Sequence, residues 1–260
     1  MTDGTACAAA AALLLSAPAA HAYRPFDGTD AAVAERDGVE IELGPTGFLR
    51  IGSGRFLVAP AVIANLGLAD HWELVLEGKQ HVLLGSVSSE TSRSRIVDTA
   101  LNIKTVVREG VLQHKPGRSV AIELGMLLPT VNDEPGVGAQ GTVILSDRVG
   151  PVTAHFNAGL ALTRAKNLDL VGSVIVEGPW TWPVRPVSEL FAQVEGGNET
   201  TVTGLAGFIS PISDALAFDG GFRLGRAAGQ SLVEVRLGLT VSFSLQPEAH
   251  RAVRRPSFPF

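Results

Sequence analysis

The most constraining feature of this chain is the length over which apolar and polar residues alternate. Between about Val39 and Leu245 the alternation recurs in stretches of about ten to thirteen residues, separated by Gly, Pro, Asp or Asn. In the clearest stretch, from Leu232 to Phe243, every odd-numbered residue is apolar and most even-numbered residues are polar. Strands of soluble proteins usually run about five or six residues, whereas a tilted strand needs about nine to eleven to cross a bilayer. The pattern therefore predicts amphipathic strands of membrane-crossing length.

The number of stretches indicates how the sheet closes. About twelve can be delimited, and an even number suits a closed antiparallel barrel. No apolar run approaches the roughly eighteen residues of a membrane helix, although 45% of the residues are hydrophobic. We predict an all-β protein, an antiparallel up-and-down transmembrane β-barrel of about 12 strands in residues 39–245.

The two chain ends differ from the barrel region. A short apolar core, Ala8 to Leu15, precedes the small-residue cleavage pattern Ala20-His21-Ala22, so residues 1–22 are predicted to be a secretory signal peptide. No Lys or Arg precedes that core, and an Ala-rich helix is the alternative. Residues 23–38 are predicted to be an N-terminal periplasmic segment, and residues 246–260, rich in Pro and Arg, a flexible C-terminal tail. The predicted localisation is the bacterial outer membrane.

Composition excludes several classes of site and partner. The single cysteine, Cys7, lies in the predicted signal peptide, so neither a disulfide framework nor a thiolate metal site is expected. The net charge is −5 and the bases are interleaved with acids, which argues against nucleic-acid binding. We expect no cofactor and no bound metal. The acidic sequence Asn132-Asp133-Glu134 is either a solvated loop or an attractor of divalent cations.

The connections between the predicted strands show a second regularity. Tight turns are predicted at residues 67–70, 147–150 and 211–214, after the second, sixth and tenth strands. Outer-membrane barrels have short periplasmic turns and longer external loops. The segments predicted to lie outside are 85–95, 130–137, 164–167, 196–199 and 226–231. Residues 109–118 and 178–183 are long for periplasmic turns.

Alternation alone does not say which face of the barrel points inward, because a soluble ligand-binding barrel has an apolar interior. The polar faces of two stretches, Ile96–Arg108 and Val152–Thr163, mix charged, polar and small residues. Such a mixture is typical of a polar lumen. We therefore predict that the apolar face meets lipid, with a soluble secreted barrel as the alternative.

Charged residues on the predicted inward face are the candidate functional residues. In a pore they would set the field that a solute experiences, and mixed signs would give weak selection by charge. The alternative is that they pair across strands and plug a narrow barrel. The lumen-lining candidates are Glu73, Glu77, Lys79, His81, Asp98, Lys104, Arg108, Glu123, His155, Glu177, Arg185, Glu189, Asp219, Arg223, Glu234 and Arg236.

The aromatic residues are few for an outer-membrane barrel. Trp72 adjoins a tight turn, and Trp180 and Trp182 lie in a predicted periplasmic connection. They either form part of an interfacial belt or pack locally.

A catalytic role has little support in the sequence. His155, Asp169 and Ser173 have inward parity on neighbouring predicted strands, so they could lie close together as a Ser-His-acid set, but a lipid-cleaving site should face the bilayer. No Gly-x-Ser-x-Gly elbow and no metal-spaced His pair accompanies them. We predict that the protein is not an enzyme.

Several short motifs resemble a known family. They are Tyr23-Arg24-Pro25-Phe26-Asp27-Gly28-Thr29-Asp30-Ala31, then 65–74, Leu128-Pro129-Thr130 and Gly238-Leu239-Thr240. The set is similar to the outer-membrane transporter-like family named after the MetA pathway of phenol degradation. The resemblance implies a barrel of about twelve strands that passes small hydrophobic or aromatic compounds. The chain departs from the family pattern in two places. It has Thr29-Asp30-Ala31 where the family often has two adjacent acidic residues, and it extends beyond the last strand.

The leading functional hypothesis is a monomeric outer-membrane channel or uptake protein for small molecules. The expected partners are outer-membrane lipid, the barrel assembly machinery and an unidentified small solute. The alternatives are a non-conducting structural or interaction barrel and a soluble secreted ligand-binding barrel.

Overall fold

The structure, a computed structural model, describes residues 25–85, 92–196 and 199–245. The predicted signal peptide and the predicted C-terminal tail lie outside these described residues. Within the described ranges, no helix is long and apolar enough to cross a membrane.

Twelve strands account for most of the described chain. They are β1 (Gly38–Ile51), β2 (Gly54–Ala69), β3 (Trp72–Leu83), β4 (Ser94–Arg108), β5 (Ser119–Leu127), β6 (Gly138–Val149), β7 (Val152–Leu162), β8 (Leu168–Glu177), β9 (Arg185–Glu195), β10 (Glu199–Ser213), β11 (Leu216–Ala227) and β12 (Gln230–Ser244). The shortest has 9 residues and the longest 16, so each can cross a bilayer when tilted.

The strands form one closed sheet. Each strand pairs antiparallel with its neighbours in sequence. The sheet closes where β1 pairs with β12, from Gly38 opposite Ser244 to Ile51 opposite Leu232. Closure leaves no strand with an unpaired edge, which is the condition for a sheet in lipid. The predicted fold, an up-and-down barrel of about 12 strands, is confirmed.

The two mouths of the barrel carry different connections. We call the mouth where β1 begins and β12 ends the periplasmic end, by the rule that short turns lie there. It holds the tight turns at residues 70–71, 150–151 and 214–215, and the longer connection 109–118 with a 3₁₀ helix at Val111–Gln113. The opposite mouth, the external end, holds the connections that follow β3, β5 and β7.

Burial shows which face meets lipid. On β9, Leu190 is 70% exposed, whereas the preceding Glu189 is 2% exposed. The same holds around the wall, where Leu124, Leu160 and Leu170 lie outside and are more than half exposed. An apolar exterior around a polar interior is stable only in a membrane, and the closed antiparallel barrel is the form that bacterial outer-membrane proteins take. The protein resides in the outer membrane, and the soluble alternative does not fit.

Candidate functional site: the lumen

A large cavity occupies the lumen. Its volume is about 790 Å³, and its lining runs from residues of the N-terminal segment to Glu195 and Arg164 near the external end. One side of the lumen is apolar, where Leu49, Val58 and Leu232 of β1, β2 and β12 pack together. The remaining lining is mostly polar, so the cavity is amphipathic.

The N-terminal segment, residues 25–37, lies inside the barrel and crosses the lumen toward β11 and β12. Its backbone is held by inward side chains of the wall. The amides of Asp27 and Gly28 both donate to the carboxylate of Glu189, each at 2.8 Å. Closer to β1, the Ala34 amide donates to Glu73 Oε2 at 2.6 Å. The sequence prediction gave this segment no position within the barrel.

Two arginines fix the far end of the segment. Arg236 donates to the carbonyl oxygen of Pro25 at 2.6 Å and to Asp27 Oδ1 at 2.7 Å. Arg223 also contacts the Asp27 carboxylate, and both guanidinium groups contact Glu234. Charge-assisted hydrogen bonds of this kind are about twice as strong as neutral ones. The four side chains therefore form one buried ionic network.

A second ionic cluster holds the middle of the segment. Lys104 Nζ lies 3.3 Å from Glu73 Oε1 and 3.8 Å from Asp30 Oδ1, and it donates to Thr29 Oγ1 at 3.2 Å. The Lys104, Glu73 and Asp30 side chains are at most 5% exposed. Neighbouring backbone is fixed by Asn157, whose Nδ2 donates to the Thr29 carbonyl oxygen at 2.9 Å.

Apolar contacts add to the polar ones. Phe26 packs into a buried cluster with Ile175 and Leu205, and Ala31 packs against Ala121 and Ile144. Burying one phenylalanine side chain is worth roughly 1.5–3 kcal/mol. The segment is therefore a packed part of the barrel and fills much of the periplasmic half of the lumen.

Where the segment passes β2, the wall has a glycine. A Cβ built on Gly67 would lie 1.9 Å from the carbonyl oxygen of Glu35. Only glycine allows so close an approach of two backbones. The sequence of β2 is thus adapted to the segment beside it.

The structure brings most of the predicted lumen residues inside the barrel. Nine line the cavity: Glu73, Glu77, Lys79, His81, Asp98, Lys104, Glu123, Arg223 and Glu234. Five others are buried: His155, Glu177, Glu189, Asp219 and Arg236. Arg185 Nη1 lies 3.3 Å from Glu177 Oε2. That these residues act on a solute stays a prediction.

Arg108 differs from the prediction. A register irregularity falls between Val106 and Arg108, and Arg108 pairs with Val120, whereas Val106 pairs with the inward Ala121. One extra residue in a strand moves the following side chains to the other face. Arg108 is exposed and does not line the cavity.

The three residues considered for catalysis do not form a catalytic set. His155 Nδ1 lies 2.8 Å from Ser146 Oγ, and its Nε2 lies 3.4 Å from Glu177 Oε1. Ser146 is fully buried and accepts a hydrogen bond from the Ala31 amide at 3.0 Å. Asp169 instead accepts a hydrogen bond from Gln193 at 2.6 Å. This Ser-His-Glu series therefore fastens the N-terminal segment.

Sequence reasoning missed the residues that join separate parts of the chain. Asp27 and Asp30 were placed in a periplasmic segment, and Arg164 in an external loop. Arg164 donates to the carbonyl oxygens of Leu128 and Thr99, both at 2.7 Å, and so ties together the external ends of three strands. The predicted inward residues already included eight acids against six Lys or Arg residues, so their charge balance gave no signal of these partners.

Other side chains at the two ends of the barrel have clear positions. The three tryptophans, Trp72, Trp180 and Trp182, are about half exposed at the periplasmic end. Arg148 lies over the Trp180 ring, 5.1 Å from its centroid, so this tryptophan packs locally, and an interfacial belt stays a prediction. In the acidic loop, Asp133 lies 3.1 Å from Arg95. The described residues contain no group of three or more His, Cys, Asp or Glu arranged to hold a metal ion.

Comparison with known proteins supports the fold at low sequence identity. No protein-family model matches the chain, and no curated protein matches it. An outer membrane channel from Pseudomonas putida F1 is similar at a TM-score of 0.59 and 9% identity, covering 84% of this chain and 99% of that one. The KdgM porin is similar at a TM-score of 0.50 and 10% identity, covering 78% and 99%. At such identities the likeness establishes a shared barrel architecture.

Proposed function

We propose that this protein is an outer-membrane channel for small molecules. The single observation that supports this best is the amphipathic cavity of about 790 Å³ inside a closed barrel. Proteins of the same architecture include a channel and a porin. A twelve-stranded wall is wider than the side-chain-filled eight-stranded barrels, which leaves room for a solute.

The proposal extends to the protein family and to the class of solute. We infer membership in the outer-membrane transporter-like family named after the MetA pathway of phenol degradation from the motif that includes Pro25-Phe26-Asp27. Two residues of that motif, Phe26 and Asp27, pack and pair inside the lumen. Hydrophobic or aromatic solutes fit the apolar side of the cavity near Leu49. A non-enzymatic, monomeric protein inserted by the barrel assembly machinery completes the proposal.

The second candidate is a non-conducting barrel. The observation that favours it is the N-terminal segment, whose contacts from Ala34 to Pro25 cross the lumen. A barrel sealed by its own chain serves as a structural or interaction protein. The segment nevertheless has exposed and half-buried residues, and the cavity continues beside it.

Reconstitution separates the two candidates. Purified protein is inserted into a planar bilayer, and solute flux is followed in parallel by swelling of liposomes. Single-channel steps together with flux of small neutral solutes support the channel. Stable insertion without steps and without flux contradicts it and leaves the sealed barrel.

A further inference from the structure

The charges that line the cavity are strongly unbalanced. Twelve Asp or Glu residues line it, against four Lys or Arg residues. Acids close together in a cleft raise the local concentration of cations. The imbalance concerns the whole cavity, and a more specific arrangement lies near its external end.

Asp169 and Glu195 form an acidic pair on neighbouring strands. They are direct register partners of β8 and β9, and both line the cavity. Side chains directly opposite each other in an antiparallel pair have Cβ atoms about 4.5–5.5 Å apart, and like charges there are destabilising. Among the described residues, neither carboxylate forms an ion pair with a base.

One oxygen of this pair lacks a partner. Asp169 is 4% exposed, and its Oδ1 has no hydrogen-bond partner among the described residues. Its Oδ2 accepts from Gln193, and Glu195 Oε1 accepts from Asn167 Nδ2 at 3.2 Å. A buried acceptor without a donor is costly, and the cost is larger for a charged group. A ligand with positively charged N–H donors would remove both the repulsion and the missing hydrogen bond.

The surroundings of the pair favour an organic cation over a metal ion. The described residues contain no group of three or more His, Cys, Asp or Glu arranged to hold a metal. On β8, Val171 lies two residues farther from the external end than Asp169. On β9, Gln193 and then Phe191 follow at two-residue steps from Glu195 in the same direction, and all three line the cavity. Each such step is about 7 Å along a strand. Toward the middle of the lumen, the acidic pair is thus followed by the apolar side chains of Val171 and Phe191 beside the polar Gln193 and Ser173.

We propose that Asp169 and Glu195 form a binding site for a small amphipathic amine in its ammonium form. The ammonium group lies between the two carboxylates, and the apolar part extends past Val171 toward Phe191. This inference deepens the proposed channel function and rests on it, because the site lies on the path from the external end into the cavity.

Calorimetric titration of the purified full-length protein in detergent micelles tests the site. The probes are 2-phenylethylammonium chloride and 2-phenylethanol, which share a skeleton and differ in charge. A charge-assisted hydrogen bond predicts that the ammonium compound binds at least about tenfold more tightly than the alcohol. The double variant Asp169→Asn with Glu195→Gln should lower that affinity by about tenfold or more.

Asp147→Asn is the matched control. It changes the net charge in the same direction as each substitution of the pair, but Asp147 pairs with Arg118 and does not line the cavity. Its affinity for the ammonium compound should equal that of the wild type. Folding of every variant is checked by the heat-dependent electrophoretic mobility of the barrel, and removal of like-charge repulsion should not impair it.

The outcomes distinguish this site from the channel itself. Equal binding of the alcohol and the ammonium compound, or unchanged affinity in the double variant, overturns the amine site. Conductance without ammonium binding therefore rejects the site and leaves the channel. Ammonium binding that depends on both acids, in a barrel that does not conduct, supports the site and rejects the channel.

Discussion

The two halves of the lumen are enclosed by the same strands but differ in how their charged side chains are paired. In the periplasmic half, the ion pairs of Lys104 and Arg236 are buried, with every partner side chain at most 13% exposed. In the external half, Asp98 and Glu134 are paired with bases but are more than half exposed. The periplasmic half is completed by a segment of the chain itself, whereas the external half holds acids that the chain leaves accessible.

The difference teaches how to separate structural charges from functional ones in a barrel. Inward bases such as Arg223 and Arg236 have their partners in the N-terminal segment, so they hold the structure together. Asp169 and Glu195 line the cavity and form no ion pair with a base among the described residues, and our proposal is that a solute cation pairs with them.

The largest effect is expected from removing residues 25–33. Because the segment crosses the periplasmic half of the lumen, its deletion should raise single-channel conductance several-fold. Planar-bilayer recordings of the deletion variant and the wild type measure this, with Asp147→Asn as a control that leaves the lumen intact. Equal conductance would show that the segment does not limit the pore.

Next in size is the loss of stability from Arg236→Ala. The substitution leaves the Asp27 and Glu234 carboxylates beside a single arginine, and breaking a buried ion pair costs about 3 kcal/mol or more. In the external half, Gln193→Ala removes one hydrogen bond to the Asp169 carboxylate and should cost about 1.5 kcal/mol. Denaturant unfolding of the refolded barrels compares them, and equal losses would remove the contrast between the halves.

A change in ion selectivity is expected from Lys104→Glu but not from Arg108→Glu. Lys104 is buried between Glu73 and Asp30, so a carboxylate there would repel the segment and make the pore more selective for cations. Arg108 is exposed outside the cavity and serves as the matched control. Reversal potentials in a KCl gradient measure the ion selectivity of both variants. An equal shift in both would contradict the placement of Lys104 inside the barrel and of Arg108 outside the cavity.

The smallest effect is expected from Asp98→Asn. Asp98 lies 3.1 Å from Lys79, but its side chain is 56% exposed, so the pair should contribute about 0.5 kcal/mol or less to stability. Loss of one accessible acid should lower cation preference slightly. Unfolding curves and reversal potentials of the variant measure both, and a stability loss as large as that of Arg236→Ala would contradict the comparison.

Much of the barrel could be predicted because its pattern is local. Alternation with a period of two fixes which residues share a face, and lengths of about ten residues fix membrane crossing. The prediction fails after an irregularity, as it does at Arg108, because one extra residue inverts the alternation. Lys104, which precedes the irregularity on the same strand, lies inside as predicted.

The candidate site was predicted less completely, because its decisive contacts are not local. Asp27 meets Arg236 across more than two hundred residues of sequence, and no periodicity links them. Asp169 Oδ1, which has no hydrogen-bond partner among the described residues, likewise becomes evident only when β8 and β9 lie side by side. The spacing of residues along a single strand indicates neither the Asp27–Arg236 contact nor the missing hydrogen bond of Asp169.

The sequence by itself determined the wall: strand length, closure and the face that meets lipid all follow from local chemistry and the absence of water in a bilayer. Only the tertiary structure decided what occupies the interior. The path of residues 25–37, and the acids left accessible beyond it, depend on which inward charges the closed barrel brings within a few ångströms of each other. Strand pairing sets those distances, because register joins residues that are far apart in the chain.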